Sequence, residues 1–147
     1  MIISSEIGES EFEIIAGLSK SNELGSWNKT DYQKAYVDSD YVTVTAKDSD
    51  CIIGFIIFRV VQDEVELLNI CVENIHRRKG TASILINYCI DFSLRQKKKK
   101  IWLEVRESNF GAIKFYQKSG FYNYGTRKKY YSNPVENALI MVKTLSD

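Results

Sequence analysis

Proline and histidine occur once each in the 147 residues, as Pro134 and His76, and cysteine three times, as Cys51, Cys71 and Cys89, without a Cys-x-x-Cys spacing. Three scattered thiols and one imidazole supply neither a paired disulfide framework nor a zinc ligand set, so no metal is expected and the cysteines read as small buried hydrophobes. No apolar run approaches the roughly 18 residues of a transmembrane helix. Met1-Ile2-Ile3-Ser4-Ser5-Glu6 has neither the basic start nor the apolar centre of a signal peptide, so a cytoplasmic protein without a membrane partner is expected. Both a Walker loop, which needs a Gly-Lys-Ser/Thr ending, and a GxGxxG fingerprint are missing. A net charge of +1 argues against a dedicated DNA or RNA binder. There is no internal repeat.

What is present suffices for one ordinary domain. With 44% apolar residues and 12% aromatics, residues 1–147 can bury a core as a single unit with no linker. The charge is unevenly spread: residues 1–76 hold 14 acidic and 5 basic side chains, a net of −9, and residues 77–147 hold 5 acidic and 15 basic, a net of +10. Either the halves neutralise each other in the fold, or the basic half meets an anionic ligand and the acidic half a cationic partner.

Hydrophobic periodicity gives the element order. Residues 1–5 form an edge strand, and Ser10 caps a helix whose apolar positions are Phe12, Ile15, Ala16 and Leu18, stopped by Gly25. Trp27 follows in a polar loop, as a plug on the core or a wall of a binding site, before a short helix through Tyr32, Ala35 and Tyr36. Alternation over 41–46 and 51–61, with turn residues Lys47-Asp48-Ser49-Asp50 between, predicts a hairpin, and 65–72 adds a third strand. From Thr81 the spacing of Leu85, Ile86, Cys89, Ile90 and Phe92 becomes helical through about Gln96, ending in Lys97, Lys98, Lys99 and Lys100, read as a solvated face. Residues 101–106 return to strand, Ser108-Asn109 caps a helix that Gly120 ends, and 121–131 and 137–145 close the chain as strands. The order β-α-α-β-β-β-α-β-α-β-β predicts a mixed α/β sheet of about seven strands with about four helices on its faces.

Two places carry chemistry. Between the strand 65–72 and the helix from Thr81 lies a basic turn with Arg77, Arg78, Lys79 and Gly80, where uncapped N–H groups and the helix dipole favour phosphate; the alternative is a solvated connection. In the strand 101–106, Ile101, Leu103 and Val105 take one face, so Trp102, Glu104 and Arg106 share the other. A mid-strand carboxylate there is paired with a base such as Arg106, or serves as a general base. Tyr116, on the following helix, is a packed core tyrosine or faces the same cleft as the phosphate turn.

Arg77-Arg78-Lys79-Gly80-Thr81-Ala82 resembles the R/Q-x-x-G-x-G/A pyrophosphate motif of the GNAT acetyltransferase superfamily. Asn69-Ile70-Cys71-Val72, Trp102-Leu103-Glu104-Val105-Arg106-Glu107-Ser108-Asn109, Ala112-Ile113 with Phe115-Tyr116, Gly120-Phe121, Arg127 with Tyr130-Tyr131 and Glu136-Asn137-Ala138 make it most similar to the bacterial ribosomal-protein alanine N-acetyltransferases. The likeness spans about residues 54–145; in residues 1–50 it is loose, with Ser26 where the family usually has proline before its tryptophan. The resemblance implies a GNAT-type fold and acetyl-CoA as co-substrate. It places the pantetheine arm on the main chain of Ile70, Cys71 and Val72 and the pyrophosphate on Arg77, Arg78, Lys79, Gly80, Thr81, Ala82 and Ser83, with Asn109 holding the arm. It further implies Glu104 as general base, Tyr116 as proton donor to the leaving thiolate, Trp27 and Tyr131 at the acceptor site, and a protein N-terminus, that of a basic ribosomal protein, as acceptor. A GNAT acting on a small amine or a lysine, and a CoA-binding module without turnover, are the alternatives.

Overall fold

The computed structural model describes residues 1–19, 27–77 and 79–146. In chain order the elements are β1 (Ile2–Ser4), α1 (Glu11–Ser19), α2 (Lys29–Val37), β2 (Tyr41–Asp48), β3 (Cys51–Val61), β4 (Glu64–Val72), a 3-10 turn (Asn74–His76), α3 (Thr81–Arg95), β5 (Lys100–Arg106), α4 (Phe110–Lys118), β6 (Tyr122–Tyr131) and β7 (Glu136–Thr144). The expected order is met element by element. The helix stop assigned to Gly25 lies outside the described residues.

Among the described residues seven strands form one sheet in the order β1-β2-β3-β4-β5-β7-β6, parallel at β4–β5 and antiparallel elsewhere. The β2–β3 hairpin turns on Ser49 and Asp50, both at positive φ (51° and 65°), which matches the right-handed twist of the strands it joins. β6 is an outer edge, exposed along nearly its whole length, and β1 is the other.

Each sheet face has its own core. On one, Leu85, Ile86 and Cys89 of α3 meet Val44, Ile56, Phe58, Ile101, Leu103, Val105 and Met141. On the other, Phe12, Ile15 and Ala16 of α1 and Tyr32 and Ala35 of α2 cover Phe55, Ile57 and Cys71. Among the described residues this second core takes nothing from β5, β6 or β7, so α1 and α2 leave that half of the face open.

A bulge in β4 decides which side chains reach which face. Asn69 pairs with Ile57 and Leu67 with Phe58, leaving Leu68 as the extra residue. Before it, Val65 and Leu67 enter the α3 core; after it, Ile70 and Val72 do so, while Leu68 and Cys71 face α1 and α2.

Two expectations change. Cys51 is exposed, since it opens β3 opposite Asp48 beside the turn, whereas Cys71 and Cys89 are buried as expected and burial pushes the Cys89 thiol up to about 12. The lysine run is less free than a solvated face: Lys98 Nζ donates to the Gln62 carbonyl at 2.9 Å, Lys99 Nζ stands 3.2 Å from Asp63, and Lys100 Nζ lies 5.7 Å from the centre of the Trp102 ring. These contacts sit where β4 and β5 begin, at the opposite strand ends from Gly80.

A side chain at Gly54 tests how β3 meets the end of β4, because a Cβ there would stand 2.7 Å from the Cys71 carbonyl oxygen and 3.4 Å from Leu85. Gly54→Ala is expected to lose about 1–3 kcal/mol of stability through overpacking, read as a lower denaturant midpoint at unchanged slope.

Candidate active site

β4 and β5 stay paired for three positions, Glu64↔Lys100, Val65↔Ile101 and Glu66↔Trp102. Beyond them β5 continues on β7 and β4 on β3, so the sheet parts between two strands that began side by side. Two cavities lie along the parting.

The first, about 270 Å³, is lined by Glu66, Leu67 and Leu68 of β4, Trp102, Leu103 and Glu104 of β5, Arg127, Tyr130 and Tyr131 of β6, and Ile140 of β7. Glu104 takes the face expected from the alternation of its strand. Its cation is Arg127, with Nε 3.3 Å from Oε2. The contact is ionic and outside hydrogen-bond geometry, so Oε2 is buried without a hydrogen-bond donor. Burial raises the Glu104 carboxyl above the ordinary range; Arg127 opposes the rise and the nearby Glu66 adds to it. Arg106, two residues on, meets Glu136 at 3.3 Å, donates to the carbonyls of Pro134 and Ser132, and lies 4.5 Å from the centre of the Tyr131 ring, bracing one wall.

The second cavity, about 470 Å³, opens between the end of β4, the start of α3 and the start of α4. Ile70, Val72, Arg77, Gly80, Ala82, Ser83, Asn109 and Tyr116 line it, as expected from sequence, together with His76, Gly111, Ala112 and Phe115, which were not foreseen. Gly80 sits at φ 85° as the cap residue of α3 and gives no side-chain cap, and a Cβ on it would meet nothing within 4 Å. The helix start is therefore uncapped by side chains and open in front. Arg77 Nε donates to the Val72 carbonyl at 3.2 Å, tying the basic turn to the end of β4. Asn109 caps α4, its Oδ1 accepting from Ala112 N at 3.2 Å. Tyr116 is half-buried, its ring 5.5 Å from Phe115 and 5.9 Å from Phe121.

The remaining assigned residues stand apart from that cavity. Thr81 is buried, Lys79 is exposed, and the Cys71 side chain enters the α1/α2 core. Arg78 lies outside the described residues. Trp27 packs 5.1 Å from Tyr32 and lines a separate groove with Asp31, Asp38 and Tyr41; it is not among the residues lining the Glu104 cavity, whereas Tyr131 is. Among the described residues no cluster of His, Cys, Asp and Glu could hold a metal ion.

Glu104 and Tyr116 thus line different cavities, the carboxylate on the α1/α2 face and the phenol on the α3 face. What joins them is β4, which walls the first cavity with residues 66–68 and the second with Ile70 and Val72. The alternation in 101–106 was enough to add Trp102 to the first cavity. Arg127 carried no local signal, since it arrives through β6 pairing on β7.

Residues 12–121 match the model of the acetyltransferase (GNAT) family. The chain is 33% identical over 145 residues, 96% of its length and 97% of the other's, to the [ribosomal protein bS18]-alanine N-acetyltransferase of Haemophilus influenzae. The crystal structure of the ribosomal-protein-S18-alanine N-acetyltransferase from Escherichia coli superposes with a TM-score of 0.87 at 27% identity, covering 99% of this chain and 94% of that one. An aminoglycoside 6'-N-acetyltransferase complexed with coenzyme A, at 18% identity and a TM-score of 0.84 over 100% of this chain and 98% of that one, shares the fold.

A carboxyl with a raised folded-state pKa costs stability above that pKa, and the cost disappears as falling pH protonates it. Glu104→Gln is therefore expected to melt at or above the wild-type temperature at pH 7. The difference should shrink as acidification passes through and just above the ordinary carboxylate range, as followed by thermal melts across pH.

Proposed function

The chain belongs to the acetyltransferase (GNAT) family and is an N-acetyltransferase; from that premise we propose that it acetylates a protein N-terminal α-amine, that of a small-subunit ribosomal protein, in the cytoplasm. The observation that carries the reading is the open half-sheet around Glu104, reached from the uncapped, unobstructed Gly80 turn along one strand, β4. A cradle whose glycine would admit a Cβ without contact, with basic residues on its rim, fits the diphosphate and flexible arm of acetyl-CoA. No helix among the described residues is long and apolar enough to cross a membrane.

Acetyl-CoA supplies the acetyl group as a thioester, whose C–S bond breaks as the C–N bond to the amine forms. The main chain around Gly80, with Arg77 and Lys79 at the rim, holds the diphosphate, and the resemblance adds Arg78 to that set. Ile70, Cys71 and Val72 offer main-chain groups along the stretch of β4 that has left β5, and Asn109 and Ala112 stand across the cavity. Glu104 takes one proton from the α-ammonium, directly or through one water, and the second proton that nitrogen sheds as the amide forms passes to solvent; Tyr116 gives its phenolic proton to the departing sulfur and regains one from solvent while Glu104 releases its own, so one proton is set free per turnover. An α-amine has a pKa of about 7.7 to 8.0 and a thiol about 8.5, so neither transfer demands a strong base or acid. Holding amine and thioester together, and directing N–H groups at the carbonyl oxygen as it gains charge, then supplies most of the acceleration.

An alanine-led basic peptide incubated with acetyl-CoA should gain one acetyl group on its α-amine by mass spectrometry. Glu104→Gln and Tyr116→Phe should both lower the rate, the first by about 10²- to 10⁴-fold, with coenzyme A affinity retained. Gly80→Ala should weaken coenzyme A binding in calorimetry, because alanine at φ 85° is strained by about 1–2 kcal/mol. Acetylation of lysine side chains or polyamines with the α-amine untouched would shift the acceptor assignment, and coenzyme A binding without turnover of any amine would remove the enzyme reading.

A further inference from the structure

We propose that Arg127 holds, in the free protein, the place of the acceptor's ammonium group on Glu104, and that only an incoming cationic amine displaces it. This rests on the acceptor reading above and names what selects the acceptor within that cavity.

The geometry is that of a stand-in. Arg127 Nε lies 3.3 Å from Glu104 Oε2 yet makes no hydrogen bond to it, so charge is supplied while a donor position stays open. Its side chain is 57% exposed against 27% for Glu104, so the cation sits on the solvent side of the carboxylate and can swing away. Its guanidinium carbon already lies 5.2 Å from the centre of the Tyr130 ring, within cation–π range, so the charge has a second partner to keep when it leaves the carboxylate. The other groups facing Glu104 are Glu66 from β4, with Tyr130 and Tyr131 from β6; Glu66 is itself held by Arg59 at 2.9 Å. Arg127 is thus the one cation among the residues lining this cavity.

An acceptor amine near neutral pH arrives mostly as an ammonium ion. It can replace the guanidinium charge for charge and then hydrogen-bond to Oε2, which Arg127 does not. A neutral or anionic group entering the cavity would have to part the ion pair and leave Glu104 uncompensated. Arg127 acts through Glu104 and is a positioning residue.

Arg127→Gln and Arg127→Lys decide the matter, both at an exposed position that should fold. At low ionic strength near pH 7, where the α-amine is mostly cationic, Arg127→Gln should lower the KM of the alanine-led peptide about twofold to fivefold, the scale of an exposed pair. Its acid limb of kcat/KM should move to higher pH, while Arg127→Lys restores wild-type behaviour. An unmoved limb, or a KM that rises in Arg127→Gln, overturns the proposal. Carbon-13 titration of the Glu104 carboxyl in the free protein reads the pair without any acceptor: the midpoint should rise in Arg127→Gln, and an unchanged midpoint also overturns it. If no α-amine is acetylated by the wild type, the acceptor reading fails, and the carboxyl titration still decides whether Arg127 compensates Glu104.

Discussion

The arrangement depends on the loss of pairing between β4 and β5 after three residue pairs. A parallel pair normally continues while main-chain groups can be exchanged, since a strand edge left bare inside a protein is costly. Here β4 carries an extra residue at Leu68 against β3, which bends it, and β5 is held by β7 along its whole length. The two strands are drawn to different neighbours. A separate cavity then lies on each face beside the parted strands, both walled in part by β4.

That parting gives a carboxylate and a phenol on opposite faces the common wall that the proposed reaction needs. Without the bulge, the alternation of β4 would run unbroken, and Ile70 and Val72 would leave the cavity beside Gly80. With it, one strand shows Leu68 to Glu104 and Ile70 to Tyr116. The helices divide the work: α3 covers its face and brings its uncapped end to the cleft, while α1 and α2 stop short of β5 and leave the half around Glu104 open.

Much of this was legible in the order of residues. The change from alternating to helical spacing at Thr81 marked α3, and Gly80 stood where a left-handed turn precedes a helix. The isolated acid among Ile101, Leu103 and Val105 marked the open face of β5. What could not be read is what depends on partners distant in sequence. Arg127 reaches Glu104 through two antiparallel pairings, and nothing near residue 127 points to residue 104. The bulge at Leu68 is invisible in an apolar run that suits either face, and Cys51 looked buried because the turn beside it, more than its apolar neighbours, sets its exposure. Trp27, read as plug or wall, stacks on Tyr32 and partly fills the smaller core.

The outer strand β6 presents ten residues with no neighbour beyond it among the described residues and exposes Tyr122 and Tyr124. Such a border invites a foreign sheet to add itself, and the opposite border escapes by being three residues long. The length of β6 is what carries both Arg127 and Tyr131 to the Glu104 cavity. Consecutive Lys128 and Lys129 place like charges along it, so two copies approaching border to border would repel, and the long strand is kept from becoming a template for aggregation.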